Sequence, residues 1–218
     1  MVLESAVSLT MAFFQLARRR WHSGTGYLMD ACISPDGRVL AAMCADSRGS
    51  EIHLFDVSET DELASCTAEN ELLLDVFFLN SSTLCAVSSR QVSFYDMKGS
   101  CTGTYPYGDN YLTDYACTKS GTLVLYLNRY RSGSAGSLVT LKSSGEELET
   151  LALQRDIVSL CAGEKEILVQ YSDGLVRYSQ TLDVTGTSDG VSNARRALLT
   201  PAGDVLLLSS YSAEKYKF

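Results

Sequence analysis

From Tyr27 onward the apolar residues come in short runs rich in Val, Leu, Tyr and Phe, separated by turn residues, and hardly any segment carries the three- and four-residue spacing of a helix. Several runs alternate apolar with polar, as from Glu51 to Phe55, which gives a strand one buried and one more exposed face. The pattern predicts an all-β chain. One unit recurs along it: an apolar strand, a polar turn, then a second apolar strand. The turns fall at Ser34–Gly37, Asn80–Ser82, Lys119–Gly121, Gly163–Lys165 and Pro201–Gly203, so the unit occurs five times. The intervals are roughly 40 residues, the period of a four-stranded propeller blade.

The flanks repeat as well as the turns. Asp30–Ser34 aligns with Asp114–Thr118, and Arg38–Ala42 aligns with Thr122–Tyr126. Third strands are predicted at Glu51–Val57, Gln91–Met97, Ser137–Lys142 and Gly174–Ser179, followed by turns at Lys98 and Ser144 and by outer strands such as Leu148–Leu153. These units predict a β-propeller of about five four-stranded WD40-like blades, either complete or part of a larger propeller. A small twisted sheet cannot bury both faces alone, so the blades must pack face to face. In a partial propeller the end sheets would expose edges and apolar faces. Gly37, Gly121 and Gly203 supply the positive φ that such turns need. The small Ala, Cys and Ser residues beside the first and third turns suit crowded inner strands.

Residues 1–21 follow a different pattern. The apolar stretch from Ala6 to Ala17 is about a dozen residues long, short of the roughly 20 that span a bilayer. Glu4 precedes it and Arg18, Arg19 and Arg20 follow, the reverse of a secretory signal. Ala6, Leu9, Phe13 and Leu16 recur at helical spacing. The segment is expected to be a short amphipathic helix or anchor remnant that packs on the body, lies on a membrane surface or stays disordered. No linker follows, so residues 22–218 are expected to form the propeller domain.

At 218 residues, 45% apolar and 20% charged, the composition is that of an ordinary globular chain. A net charge of −8 disfavours nucleic acid as a partner, because such binding needs many cations facing phosphates. Between Gly49 and Ser89 there is no Lys or Arg, while Glu51, Asp56, Glu59, Asp61, Glu62, Glu69, Glu71 and Asp75 all fall there. This acidic sector reads as solvated loops, with a docking patch for a basic partner as the alternative. Seven cysteines stand without a CxxC pair or a nearby His, which argues for packing as small hydrophobes in a reducing setting.

Catalytic constellations are not expected. His22 and His53 are the only histidines, too few for a His-based metal centre or a triad. The Gly-rich stretches at Gly24–Gly26 and Ser132–Ser137 lack the Lys of a phosphate loop. Asp109, Asn110 and Asp114 lack the alternation and closing Glu of a calcium loop. No cofactor, metal or catalytic residue is assigned. The most site-like cluster is Tyr105, Tyr107, Asp109 and Tyr111, together with Arg129, Tyr130 and Arg131 in a separate hairpin loop. Tyr and Arg combine large contact area with polar reach and are enriched at binding hot spots. Ordinary loop packing is the plainer alternative.

The Ser34–Gly37 hairpin, the strand from Ile52 to Val57 and the repeat spacing resemble WD40-like and quinoprotein-like β-propellers, without the Trp-Asp and Gly-His signatures of true WD40 repeats. More narrowly, the runs Tyr111–Tyr115, Gly174–Tyr178 and Leu206–Tyr216 resemble the carboxy-terminal part of an uncharacterised propeller family of Gram-positive bacteria, a domain of unknown function. That resemblance implies an amino-terminal membrane anchor, a longer propeller and an extracytoplasmic location at the cell envelope; the cysteine content points to the cytoplasm instead. It carries no activity. The function expected is a non-enzymatic propeller that serves as a binding scaffold for a protein or other ligand, with the partner and oligomeric state open. The alternative is an enzyme or cofactor-dependent propeller with a site at the central axis.

Overall fold

A computed structural model describes residues 26–59, 61–69, 71–130, 136–191 and 194–218. The helix or anchor expected at residues 1–21 lies outside them. Among the described residues the chain is all-β, with nineteen strands in five antiparallel sheets whose strands follow one another in sequence order.

Sheet I holds β1 (Tyr27–Ile33), β2 (Val39–Asp46), β3 (Gly49–Asp56) and β4 (Glu62–Glu69); sheet II holds β5 (Leu73–Asn80), β6 (Thr83–Ser88), β7 (Gln91–Tyr95) and β8 (Cys101–Pro106). Sheet III is β9 (Tyr111–Cys117), β10 (Leu123–Asn128), β11 (Gly136–Leu141) and β12 (Glu147–Leu153); sheet IV is β13 (Ile157–Ala162), β14 (Ile167–Tyr171), β15 (Gly174–Tyr178) and β16 (Val184–Asp189). Sheet V, predicted as a four-stranded blade, has three strands: β17 (Arg196–Leu199), β18 (Val205–Leu208) and β19 (Ala213–Tyr216). The five predicted turns all join the first and second strands of their sheets. Gly37, Gly121 and Gly203 have φ of 74°, 89° and 81°.

The described residues fall into two compact units, divided between Pro106 and Tyr107. Sheets I and II form the first, and sheets III, IV and V the second. Burial within a sheet follows strand order. The second strands β6, β10 and β14 are buried almost throughout, whereas the fourth strands β8, β12 and β16 are largely exposed. Inside the second unit, β14 is apolar at nearly every position because sheets III and V cover its two faces. Ile167, Val169 and Tyr171 enter a core with Tyr126 and Leu138 of sheet III, while Leu168 enters another with Ala197 and Val205 of sheet V. In the first unit Met43, Ile52 and Leu54 of sheet I pack with Val76, Leu84 and Ala86 of sheet II.

A repeated backbone device joins the sheets. Each of β1, β5, β9 and β13 carries a β-bulge near its start, at Met29, Leu74, Thr113 and Val158. The next residue is Asp30, Asp75, Asp114 or Ser159. Asp30 Oδ1 accepts the Ala31 N–H at 2.8 Å and its Oδ2 accepts the Val76 N–H of the neighbouring sheet at 3.3 Å. Asp114 does the same with the N–H groups of Tyr115 at 2.9 Å and Leu160 at 3.3 Å. Ser159 Oγ accepts the Ala197 N–H at 3.0 Å. Each clamp satisfies a backbone donor that the disturbed ladder leaves open.

Candidate functional site

Each sheet has two ends. At the turn end lie the hairpins joining strands one to two and three to four; at the start end the first strand begins and the second turns into the third. The functional question is what each end presents.

The predicted Tyr and Arg cluster divides. Tyr105 is half-buried on β8 of the first unit. Tyr107 is 2% exposed, so its ring is a packing element and not an open contact. Its carbonyl accepts both the backbone and side-chain N–H groups of Asn110, at 3.1 and 3.0 Å, closing the turn that holds exposed Asp109. Tyr111, 44% exposed, pairs with Asn128 across β9 and β10, which sets it beside Arg129 and Tyr130. Both of those are exposed, Tyr130 at 60%. Arg131 lies outside the described residues. The sheet register therefore brings Tyr111, Arg129 and Tyr130 together at the start end of sheet III, with Asp109 just before β9. Tyr107 belongs to the core because parity and turn geometry, invisible in composition, direct its ring inward.

Sequence reasoning missed a second set. Met29, Leu74 and Val158 are apolar, about half exposed, and occupy the bulges that precede the clamps. A bulge adds a residue to one strand and re-aims its side chain, so alternation counted along a regular strand misplaces it. The available signal was an apolar residue just before Asp30, Asp75 and Ser159, a short way ahead of each turn. In the first unit Tyr27, Met29 and Leu72 line an open cleft of about 460 Å3 with Ala45, Asp46 and Ser47.

The turn ends look different. A cleft of about 440 Å3 between the first hairpins of sheets IV and V is crossed by Arg177, which donates to Glu166 at 3.2 Å and to the Gly203 carbonyl at 2.9 Å. Its guanidinium also lies 4.4 Å over the Phe218 ring. Through these two hydrogen bonds Arg177 acts as a strut between two sheets.

Nucleophilic chemistry is disfavoured by burial. Desolvation pushes the thiols of Cys66 and Cys117 up to about 12, and raises those of Cys32 and Cys161 as well, so these sulfurs stay protonated at neutral pH. Cys44 and Cys85 are buried, and Cys101 alone among the seven is exposed. Native-state labelling with a thiol-reactive dye is thus expected to modify one thiol, Cys101, quickly and the rest only on unfolding. Rapid labelling of several thiols in the native chain, or survival of fast labelling in Cys101→Ser, would contradict this. His53 lies on β3 between Glu62, with Nδ1 2.8 Å from Oε1, and Glu51, with Nε2 3.7 Å from Oε2. Among the described residues no group of three His, Cys, Asp or Glu side chains is arranged to hold a metal ion, and no helix is long and apolar enough to cross a membrane.

Residues 15–181 match the model of a family of unknown function, DUF5711. No curated protein matches the chain. Solved structures resemble it in fold at low identity. The structure of the Dos1 propeller aligns with a TM-score of 0.57 at 10% identity over 88% of this chain and 59% of that one. The crystal structure of Kluyvelomyces marxianus Hsv2 aligns with a TM-score of 0.62 at 10% identity over 88% of this chain and 72% of that one. The chain thus spans less than two thirds of the Dos1 propeller, and the likeness establishes a β-propeller fold.

Proposed function

The chain belongs to DUF5711, a family with no assigned activity, and we propose from its geometry that it is a non-catalytic propeller module that binds a protein partner through the start ends of its sheets. The observation that carries this reading is where the exposed large apolar side chains lie. In the first unit Tyr27, Leu28, Met29, Leu72 and Leu74 are exposed at the start ends; in the second, Tyr111, Tyr130, Val158 and Tyr211 are. Leu63 and Val184, at the starts of β4 and β16, and Phe218, stacked under Arg177 after β19, are the fewer counterparts at the turn ends. Apolar side chains exposed at the start ends of either unit cost solvation unless a partner covers them, and aromatic residues among them supply contact area with little side-chain entropy to lose.

The test is quantitative co-purification from the native host with the intact chain and its variants. Tyr111→Ala with Tyr130→Ala is expected to deplete specific partners at least about tenfold with an unchanged melting temperature, as loss of two contact aromatics would do. Leu63→Ala is expected to leave them. Equal depletion by both variants, or by neither, contradicts the reading. Its finer part, a location at the bacterial cell envelope, is supported by the sequence resemblance alone. Recovery of the chain wholly in the soluble fraction of gently lysed cells would count against it.

A further inference from the structure

Two of the cysteines stand on outer strands that meet: Cys66 on β4 of sheet I and Cys101 at the start of β8 of sheet II, both in the first unit. Cys66 lies in the core that these sheets share, together with Ile52 and Leu54 of its own sheet and Tyr95 of the other. Tyr95 is also the ladder partner of Cys101 across β7 and β8. Directly opposite residues of an antiparallel pair project from one face, so Cys101 stands on the face of sheet II that is turned toward sheet I.

The level along the strands agrees. A Cβ on Gly99 would lie 2.5 Å from the backbone oxygen of Ser65 and 3.3 Å from the Ala64 Cβ, so the β7–β8 turn touches β4 there. As fourth strands of their sheets, β4 and β8 both run from the turn end toward the start end. From that contact the chain reaches Cys66 one residue on along β4, and Cys101 two residues on into β8. The electrostatics carry the same proximity. Burial pushes the Cys66 thiol up to about 12, with Asp96 and Cys101 adding to the rise, and the Tyr95 hydroxyl is raised by burial and then by Cys101 and Cys66. The two sulfurs differ in access: Cys101 is exposed, its thiol donating to the Gly103 carbonyl at 3.4 Å, whereas Cys66 is 3% exposed.

We propose that Cys66 and Cys101 form an oxidant-sensitive dithiol that reduces hydrogen peroxide and closes to a disulfide joining β4 to β8, a modification separate from partner contact at the start ends. In the first step the accessible Cys101 sulfur attacks one peroxide oxygen. The O–O bond breaks, and the departing hydroxide takes the thiol proton and leaves as water, which gives a Cys101 sulfenic acid. In the second step the Cys66 sulfur attacks the sulfenic sulfur; the S–S bond forms, the S–O bond breaks, and the hydroxide leaves with the Cys66 proton as a second water. Two thiols have then given up two electrons and two protons, and the peroxide is reduced to two waters. Because burial holds the proton on Cys66, the second step is the slower one and the sulfenic acid accumulates first. The link closes a loop of roughly 35 residues, which restricts the unfolded chain and stabilises the first unit.

The experiment is oxidation of the intact chain with hydrogen peroxide at neutral pH, followed by blocking of free thiols, mass measurement and non-reducing peptide mapping. The expected product has lost two hydrogen atoms, carries one linked pair, Cys66 with Cys101, and melts at least about 5 °C above the reduced chain. Dithiothreitol should reverse both changes. Cys66→Ala is expected to stop at a Cys101 sulfenic acid that dimedone traps, and Cys101→Ser to leave the remaining thiols reduced over the same interval. The urea-unfolded chain is the control and should give mixed pairings. A native chain that ends with Cys101 as sulfinic acid and no link overturns the inference. So does a link from Cys101 to another cysteine, or a Cys66–Cys101 link no more frequent than in the unfolded chain.

Discussion

Replacing Gly99 by alanine is expected to lower the stability of the first unit by about 2–4 kcal/mol, through left-handed strain and overpacking together. Gly37→Ala is expected to cost about 1 kcal/mol, the strain alone. Both glycines sit in hairpin turns at positive φ, 80° and 74°. Their surroundings differ. A Cβ on Gly99 would lie 2.5 Å from the backbone oxygen of Ser65 and 3.3 Å from the Ala64 Cβ, whereas around Gly37 nothing stands within 4 Å. Gly99 belongs to the β7–β8 turn of sheet II, and Ser65 to β4 of sheet I, so the missing side chain lets one sheet seat against the next. A backbone oxygen cannot rotate away as a side chain can. Urea unfolding followed by circular dichroism measures both variants, and equal losses would mean that the sheets do not meet there.

Asp114→Ala is expected to destabilise the second unit by about 2–3 kcal/mol, since it strips an acceptor from two partly buried N–H groups, those of Tyr115 and Leu160. Asp114→Asn keeps an oxygen for one of them and should lose about 1 kcal/mol. The pH dependence separates this clamp from simple loss of packing. Burial raises the Asp114 carboxyl above its ordinary value of 3.8, outweighing the lowering by its two backbone hydrogen bonds and by Arg196. A folded-state value above the unfolded one means that the native chain binds more protons between the two. The contribution of Asp114 to stability therefore improves as pH falls through the raised value toward 3.8, and weakens as pH rises through that window. The advantage of the native chain over Asp114→Asn should grow on acidification across it. An advantage that is flat or shrinks would mean that the carboxyl is not desolvated.

Much of the architecture was legible because the repeat is written in local chemistry. The turns at Ser34, Lys119 and Gly163 combine glycine with hydroxyl or charged residues and the one at Pro201 combines glycine with proline, all between apolar runs, and each joins the strands expected. The alignment of Asp30 with Asp114 was also visible, and the structure supplies its reason: both carboxylates hold the first strand of the neighbouring sheet. What stayed hidden depends on register. The apolar residue before Asp30, Asp75 and Ser159 marks Met29, Leu74 and Val158 only once the clamps are known, and a regular strand would point these side chains elsewhere. Tyr107 resembled Tyr111 in every compositional respect, yet one ring is buried and the other is not. The third strand of sheet V is short and rich in charge, Ala213–Tyr216, which is why strand periodicity gave it little support.

The central claim is that the start ends of the sheets meet a partner and the turn ends do not. Site-specific photo-crosslinking in living cells tests it most directly, with a photoreactive phenylalanine analogue placed singly at Tyr130, Val158 and Met29 and, at the turn ends, at Leu63, Lys142 and Val184. Discrete, recurring adducts at the first three positions and background at the last three is the expected result. Adducts spread evenly over both ends, or concentrated at Lys142 and Val184, would contradict it.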